Sequence, residues 1–285
     1  MNEAIKQMLS RYSLDAAEST HNALVEIMQQ IALLGLWRGK FFEHAGFYGG
    51  TALRILYGLD RFSEDMDFAL RRADPAFTLE PYLQFVVREL KAFDFDVDVK
   101  HRVKNVETAV DSAFFKANTQ QHFVKVGTRH KTQKDRLIEI KFEVDTDPPY
   151  EAETEARFVL DPTSFSVLTF TPKELFAGKM HAVLCRQWRG RVKGRDWYDM
   201  LWYIARGTPL NLSHLEAKMR QSKHLSDSEP LTPDRFRDIL RARIEGLDVR
   251  KAASDVRPFL RDATSLEVWS HDFFRQVCEQ ITTAS

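Results

Sequence analysis

The sequence predicts an α+β protein, with an α+β domain over residues 1–168 followed by a helical domain over residues 169–285. Three observations predict it. Before residue 170, stretches that alternate apolar and charged residues are interspersed with stretches whose apolar residues recur every three or four positions. At Thr171-Pro172-Lys173-Glu174 a cap-type threonine, a proline at the first helical position and a glutamate three residues after the threonine form a strong helix start. Beyond that point only helical spacing recurs, which sets the boundary near residues 165–170.

Along the first domain, Ala23, Ile27, Ile31 and Leu34 make one helical stripe over residues 19–36, with Thr20 as its expected cap. A short apolar approach, 46–48, runs into Gly49-Gly50, after which 51–57 reads as helix and 66–70 as strand. Leu83, Val86, Val87 and Leu90 predict a helix over 79–93, and the alternation FDVDV predicts a strand over 95–99. Weaker patterns suggest strands at 113–116 and 123–128. In residues 137–146 the alternation is clear: Ile138, Ile140, Phe142 and Val144 share one face, and Glu139, Lys141, Glu143 and Asp145 the other. An extended segment, 157–170, closes the domain. Helices are then expected over 175–188, 195–205, 212–220, 233–243 and 266–280.

Composition narrows the function. Lysine plus arginine equals aspartate plus glutamate, 41 each, so no long-range field draws the chain to nucleic acid or membrane, and any anion site must come from local clustering. The amino-terminal residues carry no secretion-type apolar core, and the run 31–37 is far too short to cross a bilayer, so a cytoplasmic protein is expected. The two cysteines, Cys185 and Cys278, lack metal or redox spacing and are read as thiols without a role. Without a GxSxG elbow, an HExxH helix, a GxGxxG turn or a GxxxxGK[ST] loop, the chain offers no motif for serine hydrolysis, zinc proteolysis, dinucleotide redox chemistry or ordinary NTPase activity.

The residues that could carry chemistry begin at Gly49-Gly50-Thr51-Ala52-Leu53-Arg54 and continue through Arg61-Phe62-Ser63-Glu64-Asp65-Met66-Asp67-Phe68. Asp65 and Asp67, one residue apart on a strand, present carboxylates to the same side and can share hard divalent cations such as Mg2+. A glycine pair before a helix permits close approach of phosphate to backbone amides. Lys179 sits on the stripe of Leu175 and Ala182, and Arg186, Arg189, Arg191, Lys193 and Arg195 with Trp188, Trp197 and Tyr198 form a local basic and aromatic cluster for a nucleotide or RNA. Asp196 and Asp199 lie one helical turn apart near a helix start; Arg195 and Asp199 have the spacing of an i, i+4 ion pair.

GGTALR followed by RFSEDMDF resembles the first motif of the nucleotidyltransferase AbiEii/AbiGii toxin family, a branch of the DNA polymerase β-like superfamily. LIEIKFEVDTDPP, ELFAGKMHAVLCR and GRVKGRDWYDMLWY are similar to that family's later motifs in the same order, over about residues 45–205. The resemblance implies a nucleotidyltransferase-like mixed sheet with a helical domain completing the site, and transfer of NMP from an NTP with two Mg2+ ions held by three acids. Asp65 and Asp67 supply two of these; Glu143 is the first choice for the third and Glu139 the second. Phosphate contacts are expected from Gly49, Gly50, Thr51, Arg54, Arg61, Ser63, Lys179 and Arg195, and Lys179, Asp196 and Asp199 are carried as catalytic. It further implies a toxin opposed by a separately encoded antitoxin, with tRNA as a candidate acceptor. The competing expectations are a nucleotide- or partner-binding module without turnover, and a phosphotransferase acting at the γ-phosphate. Residues 206–285 carry no motif.

Overall fold

A computed structural model describes residues 2–12, 17–100, 119–128, 138–149, 152–186 and 192–284. The expected strand at 113–116 lies outside these residues. The chain divides into two compact units: residues 1–58 with 62–169, and residues 59–61 with 170–285. The tripeptide Leu59-Asp60-Arg61 therefore belongs with the second unit, although residues 62–169 of the first separate it from the rest.

The first unit contains α1 (Glu3–Leu9), α2 (Ala17–Arg38), β1 (Ala45–Tyr48), α3 (Gly49–Tyr57), β2 (Asp65–Leu70), α4 (Glu80–Ala92), β3 (Phe95–Lys100), β4 (Thr119–Thr128), β5 (Ile138–Asp145), β6 (Thr154–Val159) and β7 (Phe165–Phe170). Its strands form one seven-stranded sheet in the order β3-β4-β5-β2-β1-β7-β6. The sheet is mixed: β2 runs antiparallel to β1 and parallel to β5, and β1 runs parallel to β7. Phe47, Phe68, Phe142 and Val144 from the central strands are fully buried and meet Ile27, Ile31 and Leu34 of α2 and Val86 and Leu90 of α4 in one core. Burying each such side chain contributes about 1.5–3 kcal/mol, so the apolar alternation seen in β5 is the physical reason that strand has a fixed face.

In the second unit come α5 (Pro172–Cys185), α6 (Gly194–Ala205), β8 (Leu210–Asn211), α7 (Leu212–Gln221), α8 (Pro233–Glu245), α9 (Val249–Val256), α10 (His271–Cys278) and β9 (Thr283–Ala284). Phe176 stacks on Tyr203 at 4.7 Å, and Trp197 meets the edge of Phe274 at 5.2 Å. At Gly194 a Cβ atom would fall 1.8 Å from the Ala252 carbonyl oxygen, so the start of α6 lies against α9 at a distance only glycine allows. Cys185 and Cys278 are both buried, and burial pushes their thiols up to about 12, which keeps them as unreactive thiols at neutral pH.

Several sequence expectations are corrected locally. Thr20 lies inside α2 rather than capping it, because the helix begins at Ala17. The extended segment 157–170 is two strands, β6 and β7, joined by a turn. The helix expected over 266–280 is shortened to α10, where the Ser270 side chain accepts from Phe273 N and starts the helix later. The capping box at α5 does not form: Thr171 makes no side-chain cap bond, and Glu174, 2% exposed, instead accepts from Asn211 Nδ2 at 2.7 Å and sits 2.6 Å from His214 Nδ1. A buried acid beside two long-range partners gains more from them than from one backbone amide. Neither α1 nor α9 was expected from apolar spacing; both begin at capping side chains, Asn2 and Asp248.

Candidate active site

The antiparallel pairing of β1 with β2 sets Tyr48 opposite Asp67, and the chain then turns at Gly49 into α3. Gly49 has φ +80°, a left-handed backbone, and a Cβ atom there would stand 2.2 Å from Asp67 Oδ2. The glycine is thus required twice, by conformation and by the carboxylate packed against it. The amino end of α3 carries no side-chain cap and presents its positive dipole end beside that carboxylate.

Thr51, fully buried, donates its hydroxyl to the Asp65 carbonyl. That bond ties α3 to the start of β2. Gln29, 1% exposed on α2, donates to the carbonyls of Ser63 at 3.1 Å and Glu64 at 2.9 Å, fixing the loop that delivers Asp65 to the sheet.

Along β2 the burial pattern alternates: Asp65 and Asp67 are half-buried while Met66 and Phe68 face the core. The parallel pairing with β5 sets Asp65 opposite Lys141 and Asp67 opposite Glu143. Four charged side chains therefore share one face of adjoining strands. This register places Glu143, rather than Glu139, directly across from Asp67. Lys141 Nζ lies 2.5 Å from Glu143 Oε1, an ion pair that both residues keep about three-quarters buried. Among the described residues no group of three or more His, Cys, Asp or Glu is arranged to hold a metal ion. Lys141 thus contacts the acid expected to be the third ligand. The donor chemistry itself suits a hard cation, since Asp65, Asp67 and Glu143 are oxygen donors on one face.

Arg54 lies on α3. Its Nε lies 2.8 Å from Glu26 Oε2 and its guanidinium covers the Phe62 ring at 4.7 Å, so it braces α3 against α2.

The second unit holds the remaining charged residues of the motifs. Arg61, 3% exposed, makes a two-pronged contact with Asp199: Nε to Oδ1 and Nη2 to Oδ2, each 2.6 Å. Lys179 Nζ lies 2.7 Å from Asp196 Oδ1 and 2.8 Å from Asp199 Oδ2. Two cations and two carboxylates thereby close a buried network. Burial alone would raise the Asp199 carboxyl, but Arg61 and then Lys179 outweigh it and hold the group below the usual carboxylate range. Asp196 is held low in the same way by Lys179, Arg186 and Lys193, against burial. Burial pulls Lys179 down, yet Asp196 and Asp199 raise it overall. Arg61, expected to hold its turn through Asp60 or Glu64, reaches Asp199, 138 residues away, while Asp60 accepts from the Tyr198 hydroxyl at 2.8 Å. The i, i+4 pair expected between Arg195 and Asp199 is likewise replaced: Arg195 lies over the Phe259 ring at 4.0 Å, with its Nε 3.9 Å from Asp255. Of the basic cluster, Arg186, Lys193 and Arg195 are described, whereas Trp188, Arg189 and Arg191 lie outside the described residues.

Replacing Gly49 with alanine is expected to cost about 1–2 kcal/mol for the left-handed backbone alone. Because the added methyl also displaces the Asp67 carboxylate, activity should fall further than stability. Comparing the melting temperature with the rate of nucleotide transfer checks this, and equal losses in both would disprove it.

A family model described as nucleotidyl transferase AbiEii toxin, type IV TA system, matches residues 31–277. No curated protein matches. Among solved structures, a crystal structure of a candidate nucleotidyltransferase from H. pylori is 17% identical and covers 88% of this chain and 90% of that one, with a TM-score of 0.43. The crystal structure of JHP933 from Helicobacter pylori is 18% identical, with coverage of 87% and 88% and a TM-score of 0.42.

Proposed function

Since the chain belongs to the AbiEii family of nucleotidyl transferase toxins, we propose that it transfers NMP from an NTP to an acceptor hydroxyl in the cytoplasm, with tRNA the foremost candidate acceptor and an antitoxin encoded nearby opposing it. The observation that carries this reading is the half-buried pair Asp65 and Asp67, set by register beside Glu143 and against the Gly49 turn. These three acids would hold Mg2+, two ions being the expected number; bound there, the metal supplies Lewis-acid stabilisation of the α-phosphate and activation of the attacking hydroxyl.

The chain's own residues do the rest. Gly49 and Gly50 leave the amino end of α3 open to a phosphate oxygen, since neither carries a side chain there. Lys141 keeps Glu143 neutralised until a cation competes for it. Gln29 holds the backbone of Ser63 and Glu64, so the strand that carries both aspartates starts from a rigid loop. In the second unit, Lys179 is oriented by Asp196 and Asp199.

Incubating the purified protein with total RNA, Mg2+ and either α- or γ-labelled NTP tests the proposal. Label from the α-position should enter RNA. Transfer of γ-label instead would assign phosphoryl transfer, and Mg2+-dependent NTP binding with no labelled product from any RNA or protein acceptor would assign a binding module.

A further inference from the structure

The second unit contains a cavity of about 230 Å³ where the end of α5, the start of α6 and the end of α8 meet. Three cations line it, Arg186, Lys193 and Arg243, with one carboxylate, Asp196, and apolar walls that include Trp197 and Leu247. Asp196 Oδ1 lies 2.7 Å from Lys179 Nζ, and Arg186 and Lys193 also attract that carboxylate. Arg243 donates to two backbone carbonyls, Val183 O at 2.9 Å and Arg186 O at 2.6 Å. These bonds fix the guanidinium at the cavity wall, and among the described residues no carboxylate pairs with it. The amino end of α6, which begins at Gly194 with no side-chain cap, adds its positive dipole end.

We propose that this cavity is a phosphate-anion site, built to take a free phosphate or pyrophosphate, or the terminal phosphate of a nucleotide. Excess positive charge in a half-enclosed space is stabilised by an anion with several acceptor oxygens, and Arg and Lys are the side chains that bind phosphate best. The volume favours a small anion: pockets that enclose whole drug-sized ligands run to about 300–1,000 Å³. The crowding of like charge is visible at Lys193, whose ammonium is pulled below the ordinary lysine range by burial and by Arg186, Lys179 and Arg195, against the attraction of Asp196. A bound phosphate relieves that repulsion. The site shares Asp196 with the residues carried for the reaction proposed above and otherwise rests on its own lining.

Calorimetric titration of the full chain in metal-free buffer, with pyrophosphate, inorganic phosphate and AMP in separate arms, tests it. Pyrophosphate or AMP should bind saturably; tighter pyrophosphate assigns the free anion, and tighter AMP assigns a nucleotide's phosphate. Arg186→Gln with Lys193→Gln should weaken binding about tenfold or more, the worth of losing charged hydrogen bonds, and Asp65→Asn with Asp67→Asn should leave it unchanged. Hydrogen exchange on the unaltered protein gives a readout that needs no variant: the first-turn amides of α6 should gain protection with pyrophosphate. The absence of saturable binding in all three arms overturns the site. So does undiminished binding by the folded Arg186→Gln/Lys193→Gln protein, loss of binding in the aspartate variant, or protection that omits the start of α6.

Discussion

With Asp65→Asn and Asp67→Asn combined, nucleotide transfer should fall a hundredfold or more, roughly 3 kcal/mol of transition-state stabilisation. The fold should survive. Both side chains are half-buried at the start of β2 rather than in the core, Asn preserves their shape, and the strand keeps its pairing with β1 and β5 through the backbone. The effect should therefore appear in kcat with little change in melting temperature, and raising Mg2+ should not restore the rate. Transfer that persists undiminished in the double variant would remove the metal assignment. A rate loss matched by a collapse of stability would instead show the pair to be structural.

Removing Asp199 is expected to have the largest effect on stability. Asp199→Ala strips Arg61 of its two hydrogen bonds to that carboxylate and Lys179 of one ion-pair contact, leaving buried cations with less negative charge. Breaking a buried ion pair from one side costs about 3–5 kcal/mol, measurable as a shift in the denaturant midpoint. Adding Arg61→Met to Asp199→Ala should recover part of that loss, because it removes the orphaned guanidinium, and a double-mutant cycle measures the recovery. Additive losses would disprove the coupling.

The same network sets a pH dependence. The Asp196 and Asp199 carboxyls are depressed in the folded protein, so their contribution is full above the unfolded carboxylate value of about 3.9 and is lost as pH falls through their lower folded values. Lys179 is raised, so its contribution is full below about 10.4 and is lost as pH rises through its folded value. The network's contribution to stability should be flat through neutrality and fall in acid, and Asp199→Ala should blunt that acid limb. An acid limb of unchanged depth in that variant would contradict the account.

Local chemistry made much of the fold legible. The alternation in β5 gave its buried and charged faces directly, since period two admits no other arrangement. The glycine pair, the two aspartates of β2 and the ordered later motifs pointed to the family, and the family match over residues 31–277 agrees. Where the reading departed from the structure, the deciding partner was distant in sequence. Glu174 had the spacing of a cap and went to Asn211 and His214, and Arg61, with acids on both sides, reached Asp199. Arg243 gave no signal at all, because its role depends on the end of α5 lying beside α8.

By itself the sequence determined which residue types were present and how they were spaced along each strand and helix, and with these the α+β class, the aspartate pair and the family. Tertiary structure alone decided which charges neutralise one another: Lys141 with Glu143, Lys179 with Asp196 and Asp199, Arg61 with Asp199. The reason is physical. Backbone periodicity is a short-range property written in consecutive residues, whereas an ion pair is chosen by distance and desolvation, which exist only once the chain has folded.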